Sequence, residues 1–237
     1  MSDAETSQPL RDGDTPPARG RRRQTRESIL AATKDLVARK GPHATTVRDI
    51  TQASGANVAA VNYYFQSKDN LVAIATREIG AEINDERVRR LESLLQASGG
   101  APLAPAEIVR ALVLPIGETS RAADGGSLYV RNVYQMRTVP YAEENRQHVM
   151  LQGSVAQKFI TEIRRSLPRL SRAEAVWRYE LVRGGALHMA ANVDPLWRRF
   201  EILELGPSGS LPEEPAIRLD DAFLERLVEA LVPILTR

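Results

Sequence analysis

No cysteine occurs in this 237-residue chain. That excludes disulfides, thiolate-ligated zinc and a thiol nucleophile, and it is compatible with a reducing cytosol. Histidine is scarce, and His43, His148 and His188 show no metal-ligand spacing. No apolar run approaches the ~20 residues of a membrane span, and the amino terminus lacks the apolar core of a signal peptide. Glycine-rich phosphate loops, nucleophile motifs and convincing strand alternation are missing too. Nor is there a large excess of one charge: the formal net charge is +2, so any affinity for nucleic acid would have to come from where the charges sit rather than from their sum. The expectation is a cytoplasmic, all-α protein, not an enzyme and without a cofactor. Its length accommodates a small domain and a larger one.

The stretch TTVRDITQASGANVAAVNYYFQSK, residues 45–68, carries the strongest pattern. Thr46 can cap a short helix while Asp49 reaches back, and Val47, Ile50 and Ala53 share one face. Ser54-Gly55-Ala56 supplies a turn. Asn57 caps a second helix running to Phe65, with Val61 and Phe65 inward and Ala59, Ala60, Asn62 and Tyr63 outward. Small residues beside an amide and phenols suit close approach to base edges and phosphates. This is a helix-turn-helix pattern.

The run from Arg26 to Leu71, including RESILAATKDLVARKG and TTVRDITQASGANVAAVNYYFQSKDNL, resembles the amino-terminal DNA-binding domain of TetR-family transcriptional regulators. The inter-helix glycine, the aromatic cluster ending in Phe65 and the Ser67-Lys68 helix start follow the family's order and spacing. Asn62 departs from it, standing where the family often has tyrosine. The resemblance implies a DNA-binding regulator in which Lys68 holds a phosphate. Thr46, Arg48, Asn57 and Tyr64 are expected to position the duplex, and Val58, Ala59, Ala60, Asn62 and Tyr63 to face the bases.

Residues 1–20 read as a disordered tail, 21–67 as the DNA-binding domain and 68–237 as a helical regulatory and dimerisation domain. Arg19, Arg21, Arg22, Arg23 and Arg26 form a basic arm before the first helix, placed to follow phosphates or enter a minor groove. That helix is expected from Thr25 to Lys40, ended by Gly41-Pro42, with Ile29, Ala32, Thr33, Leu36 and Val37 inward. From Ser67, the stripe Leu71, Ala75, Ile79, Ile83, Val88, Leu91 and Leu95 predicts a connecting helix of about 27 residues. Its continuity suggests a pendulum that carries a ligand signal to the reading head.

Further helices are expected at 105–122, 127–137, 141–167, 172–192 and 219–235, with a proline-rich connection before the last. The stripe Trp177, Leu181, Gly184, Gly185, His188 and Ala191 and the stripe Phe223, Leu227, Leu231 and Ile234 are broad enough to pack in two directions. The resemblance implies a homodimer joined by a four-helix bundle, binding a palindromic operator. It also implies a small-molecule effector enclosed by the middle helices. Arg131 and Gln135, four residues apart, with Trp177 and His188, are the candidate ligand-binding residues, and the arginine suits a carboxylate. The chain therefore reads as a ligand-released repressor. The alternative is a helix-turn-helix protein without effector, in an architectural or partner-dependent role.

Overall fold

The computed structural model describes residues 19–137 and 143–237, and its described elements are helices, joined by one isolated antiparallel bridge between Arg121 and Ser127. Of the expected amino-terminal tail, residues 1–18 lie outside the described residues and residues 19–20 open the first helix; the side chains of Arg21 and His148 also lie outside. Helix α1 spans Arg19–Lys40, beginning six residues earlier than the pattern suggested. The arginines are good helix formers, and Arg23 Nε donates to Glu27 Oε1 one turn on, at 2.7 Å. The arm is therefore the first turns of α1 and not an extended lead-in.

Helices α2 (Val47–Ser54) and α3 (Val58–Phe65) are both set by their caps. Thr46 Oγ1 accepts from the Asp49 amide at 3.1 Å, and Asp49 Oδ2 accepts from the Thr46 amide at 3.1 Å. The α2 terminus needs a left-handed residue, and Gly55 supplies it at φ 68°. Asn57 Oδ1 accepts from the Ala60 amide at 2.8 Å. The core beneath them joins Ile29 and Leu30 of α1, Ile50 of α2 and Val61 and Phe65 of α3. Leu71 and Ala75 of the next helix complete it. Ala53, expected inward, is exposed: on so short a helix only Ile50 reaches full burial.

Helix α4 runs Lys68–Ala97, 30 residues or about 45 Å at 1.5 Å per residue. Its first two turns belong to the small core, and Ile79, Ile83 and Leu91 belong to a second, larger one. Lys34 of α1 reaches Glu78 at 3.4 Å and also pairs with Glu82, bracing α1 along α4. Deeper in, the buried Arg87 donates from Nε to the Leu112 carbonyl at 2.8 Å and from Nη1 to the Tyr129 hydroxyl at 3.2 Å.

The larger core is closed by α5 (Pro105–Val113), α6 (Pro115–Glu118), α7 (Leu128–Arg137), α8 (Glu143–Ser166), α9 (Arg172–Asn192) and α11 (Asp221–Thr236). The single helix expected over 105–122 is broken at Pro115, which lacks the amide hydrogen that would continue the ladder. Within the proline-rich connection lies a short helix, α10 (Arg199–Leu205). Helices α9 and α11 pack side by side, and α7 bridges back to α1.

Candidate nucleic-acid interface and regulatory cavity

The outer side of α3 presents Val58, Ala59, Asn62 and Tyr63 to solvent, Tyr63 with 71% of its surface exposed. Ala60 and Tyr64 sit differently from the rest of that group. Both are half-buried and packed on the small core, and the Tyr64 ring meets Tyr63 edge-on at 5.0 Å. Tyr64 thus buttresses Tyr63, and Ala60 sits at the flank of the exposed face. Thr46 and Asn57 spend their side-chain oxygens on caps. Arg48, Arg22 and Arg23 are exposed, and Lys68 is half-buried at the start of α4, 3.6 Å from Asp69. Arg26 lies over the Phe65 ring at 5.2 Å, which ties the basic first turns to the small core.

Asp49 couples the cap to a charge. Hydrogen bonds from the Thr46 hydroxyl and amide, with Lys40 3.1 Å away, hold its carboxyl down at about 2. It is ionised, and the capping box is complete, throughout the neutral range. Ser67 Oγ accepts from the Asn70 amide at 3.1 Å, while Asn70 Nδ2 donates to the Phe65 carbonyl at 2.9 Å. One residue therefore starts α4 and satisfies the end of α3, so the reading helix is anchored to the connecting helix.

A cavity of about 550 Å³ lies where the small domain meets the larger one. Its walls are the last turn of α1 (Ala38, Arg39), one face of α7, the end of α9 and the segment 194–199. Arg131, Gln135 and His188 line it. Trp177 does not: it stands on the outer face of α9, half exposed, beside the Arg178 guanidinium at 5.6 Å. The cavity's tryptophan is Trp197, in the proline-rich connection between α9 and α11. Asp194, Tyr134, Arg39 and Arg199 were not singled out either. They come from three separate stretches, and no spacing rule links them.

The charges at this junction form a chain. Arg39 Nε donates to both oxygens of Asp35 at 2.9 and 2.8 Å, and Arg39 Nη2 is 3.2 Å from Asp124 Oδ2. Arg131 Nη2 donates to Asp124 at 2.9 Å, and Arg131 grips Asp194 through Nε and Nη2 at 2.7 and 2.8 Å. Burial pushes the Asp124 carboxyl up, but hydrogen bonds from Arg131 and the Gly126 amide, with the charges of Arg131 and Arg39, outweigh it and hold it below its ordinary range. Arg131, expected to meet an anion, is thus already neutralised by two carboxylates. Gln135 Nε2 reaches the Arg39 carbonyl at 3.4 Å, so α7 also leans on the end of α1.

A capped two-helix turn on a small core, carried by a long helix into a larger bundle with a cavity at the junction, defines a helix-turn-helix DNA-binding protein with a regulatory domain. Residues 29–75 match the model of bacterial regulatory proteins of the tetR family, and residues 110–202 match the tetracycline-repressor-like carboxyl-terminal domain. The HTH-type transcriptional regulator BetI of Escherichia coli O45:K1 is 23% identical over 175 residues, spanning 73% of this chain and 80% of BetI. The Klebsiella pneumoniae BetI is 24% identical over 182 residues, with the same coverage. Among solved structures, a TetR-like regulator from Rhodococcus sp. RHA1 superposes with a TM-score of 0.53 at 18% identity, over 90% of this chain and 94% of that one. A transcriptional regulator from Saccharomonospora viridis in complex with choline does so with a TM-score of 0.55 at 18% identity, over 91% and 97%. The chain belongs to the TetR family of transcriptional regulators.

Proposed function

We propose that this regulator is a homodimeric repressor that leaves a palindromic operator when a small molecule enters the junction cavity. The carrying observation is that α1, a helix of the DNA-binding core, forms a wall of that cavity together with α7 and α9. A molecule seated there touches both domains at once, and the chain Asp35–Arg39–Asp124–Arg131–Asp194 crosses the same boundary. Displacing α7 against α1 strains these ion pairs and tilts α1 and α4, which carry α2 and α3. Release then requires only that the ligand prefer the tilted arrangement.

On the DNA side, Val58, Ala59, Asn62 and Tyr63 read base edges, with Ala60 at the margin. Lys68, Arg48 and the arginines of the first turns of α1, Arg21, Arg22 and Arg23, meet phosphates, and the caps at Thr46 and Asn57 orient the helices. Trp177 and Leu181, each about half exposed (50% and 49%), with Gly184 open beside them, form an uncovered apolar stripe on α9. A second copy covers it in a four-helix bundle of α9 and α11. The twofold axis then sets two α3 helices one helical turn, ~34 Å, or somewhat more apart.

The test is selection of genomic DNA fragments by the purified protein at two salt concentrations. A short palindromic consensus that persists at the higher salt supports the reading. Retention of fragments without any consensus would sink it in favour of an architectural role.

A further inference from the structure

The polar groups of the junction cavity divide into those already engaged and those left over. Asp194 is gripped by Arg131 and also accepts from the Leu196 amide at 2.9 Å, so no carboxylate lining the cavity is without a partner. His188 Nε2 and Asn192 Nδ2 satisfy each other at 2.9 Å. Among the described residues, the lining side chains with no polar partner are Arg199, the Tyr134 hydroxyl and the Trp197 indole N–H. Two of these groups can only donate, the third can donate, and one carries a full positive charge. Around them, Tyr134, Leu196 and Trp197 keep 38%, 59% and 61% of their surface exposed, a concentration of apolar area beside one uncompensated guanidinium.

We propose that the cavity takes an amphipathic carboxylate, its acid group on Arg199 and its apolar body against Tyr134, Leu196 and Trp197. The inference rests on the cavity being the effector site and adds the chemical class of the effector. Two aromatic rings at a cavity also suit a quaternary ammonium, the class to which the choline of the Saccharomonospora complex belongs. Charge decides against it here. Arg39 and Arg131 are balanced by their carboxylates, so the charge a cation meets uncompensated here is Arg199, while its natural counter-charge, Asp194, is held by Arg131. A carboxylate meets a free guanidinium and loses only an exposed hydration shell at the rim. Arg131 keeps a buried Nη1 without a hydrogen-bond partner, but its charge is balanced by Asp124 and Asp194, so the charge left for an anion is that of Arg199.

Calorimetric titration of the full chain with three probes sharing one body tests this: 2-naphthoate, 2-naphthylmethanol and (2-naphthylmethyl)trimethylammonium, with choline as a fourth. Naphthoate should bind about tenfold tighter than the alcohol, as a charge-assisted hydrogen bond predicts, and the two cations weakest. Arg199→Ala, an exposed change that leaves the core untouched, should bring naphthoate down to the alcohol's affinity and leave the alcohol within about twofold. The proposal is overturned if a cation binds as well as naphthoate, if Arg199→Ala leaves the preference intact, or if no probe binds. Fluorescence anisotropy of a selected DNA fragment separates it from the effector reading. Charge-selective binding of naphthoate without DNA release keeps the carboxylate site and removes the effector role, whereas release by choline does the reverse.

Discussion

Tyr63 and Lys68 stand five residues apart and have opposite tasks in the proposed docking. Tyr63 is the most exposed aromatic residue of α3, supported from behind by Tyr64, so its ring is held out at no cost to the core. Tyr63→Ala should cost ~1–3 kcal/mol at the preferred sequence and relax preference at one position in each half-site. Lys68→Ala should weaken binding nearly equally at all sequences and lower the salt slope by about one. Titrations of both variants against matched and scrambled duplexes at several salt concentrations check this; an unchanged slope for Lys68→Ala defeats the docking geometry. Tyr63 falls on the outer face of α3 by helical spacing, which is local, whereas Lys68 is given by the family resemblance. Tyr64 could not be sorted from Tyr63 that way, since only the packed core shows which phenol is pinned.

At the scale of elements, the turn between α6 and α7 is shaped by the ion pairs it encloses. Gly126 sits so close that an added Cβ would stand 2.5 Å from Asp194 Oδ2 and nearer still to Arg131 Nη2. Gly126→Ala should therefore separate a buried pair and cost roughly 3 kcal/mol, against about 1 kcal/mol for Gly55→Ala, where the space is open and only the left-handed backbone resists. Chemical denaturation of the two variants gives the comparison, and equal midpoints would refute it. Acid probes the same chain. Because the folded state lowers the Asp124 pKa, its contribution is complete above the ordinary carboxylate value of about 4 and is lost as pH falls through the depressed one. Asp124→Asn should accordingly narrow the gap in melting temperature between pH 7 and pH 3, while an unchanged gap would place the acid sensitivity elsewhere.

For the whole molecule, the exposed stripe of α9 and the proposed pair of DNA-reading helices depend on one another. Leu181→Glu puts a charge in the middle of that stripe without touching the monomer's core, as Leu181 is half exposed. It should convert the dimer to a folded monomer in sedimentation and reduce affinity for a palindromic fragment by at least tenfold, with affinity for an isolated half-site retained. A dimer that persists through this change would move the interface away from α9.

Local pattern alone was enough for the helices of the DNA-reading unit, their caps, the glycine turn, the long α4 and the α9 limits at Arg172 and Asn192, because each depends on residues three or four apart. The same range of interaction explains the errors at both ends of that scale. Helix α1 begins six residues before the apolar pattern does, where helix-forming arginines and the Arg23–Glu27 pair replace an inward stripe, and Pro115 split a helix whose apolar spacing continued past it. The cavity is of another kind. Ala38, Arg131, His188 and Trp197 meet only after α7 folds back on α1 and the segment after α9 closes beside them, and their separation along the chain leaves no periodic trace. Whether an arginine is free to receive a ligand is likewise decided in three dimensions: Arg131 and Arg199 are alike as residues, and only the placement of Asp124 and Asp194 leaves the second one without a counter-charge among the described residues.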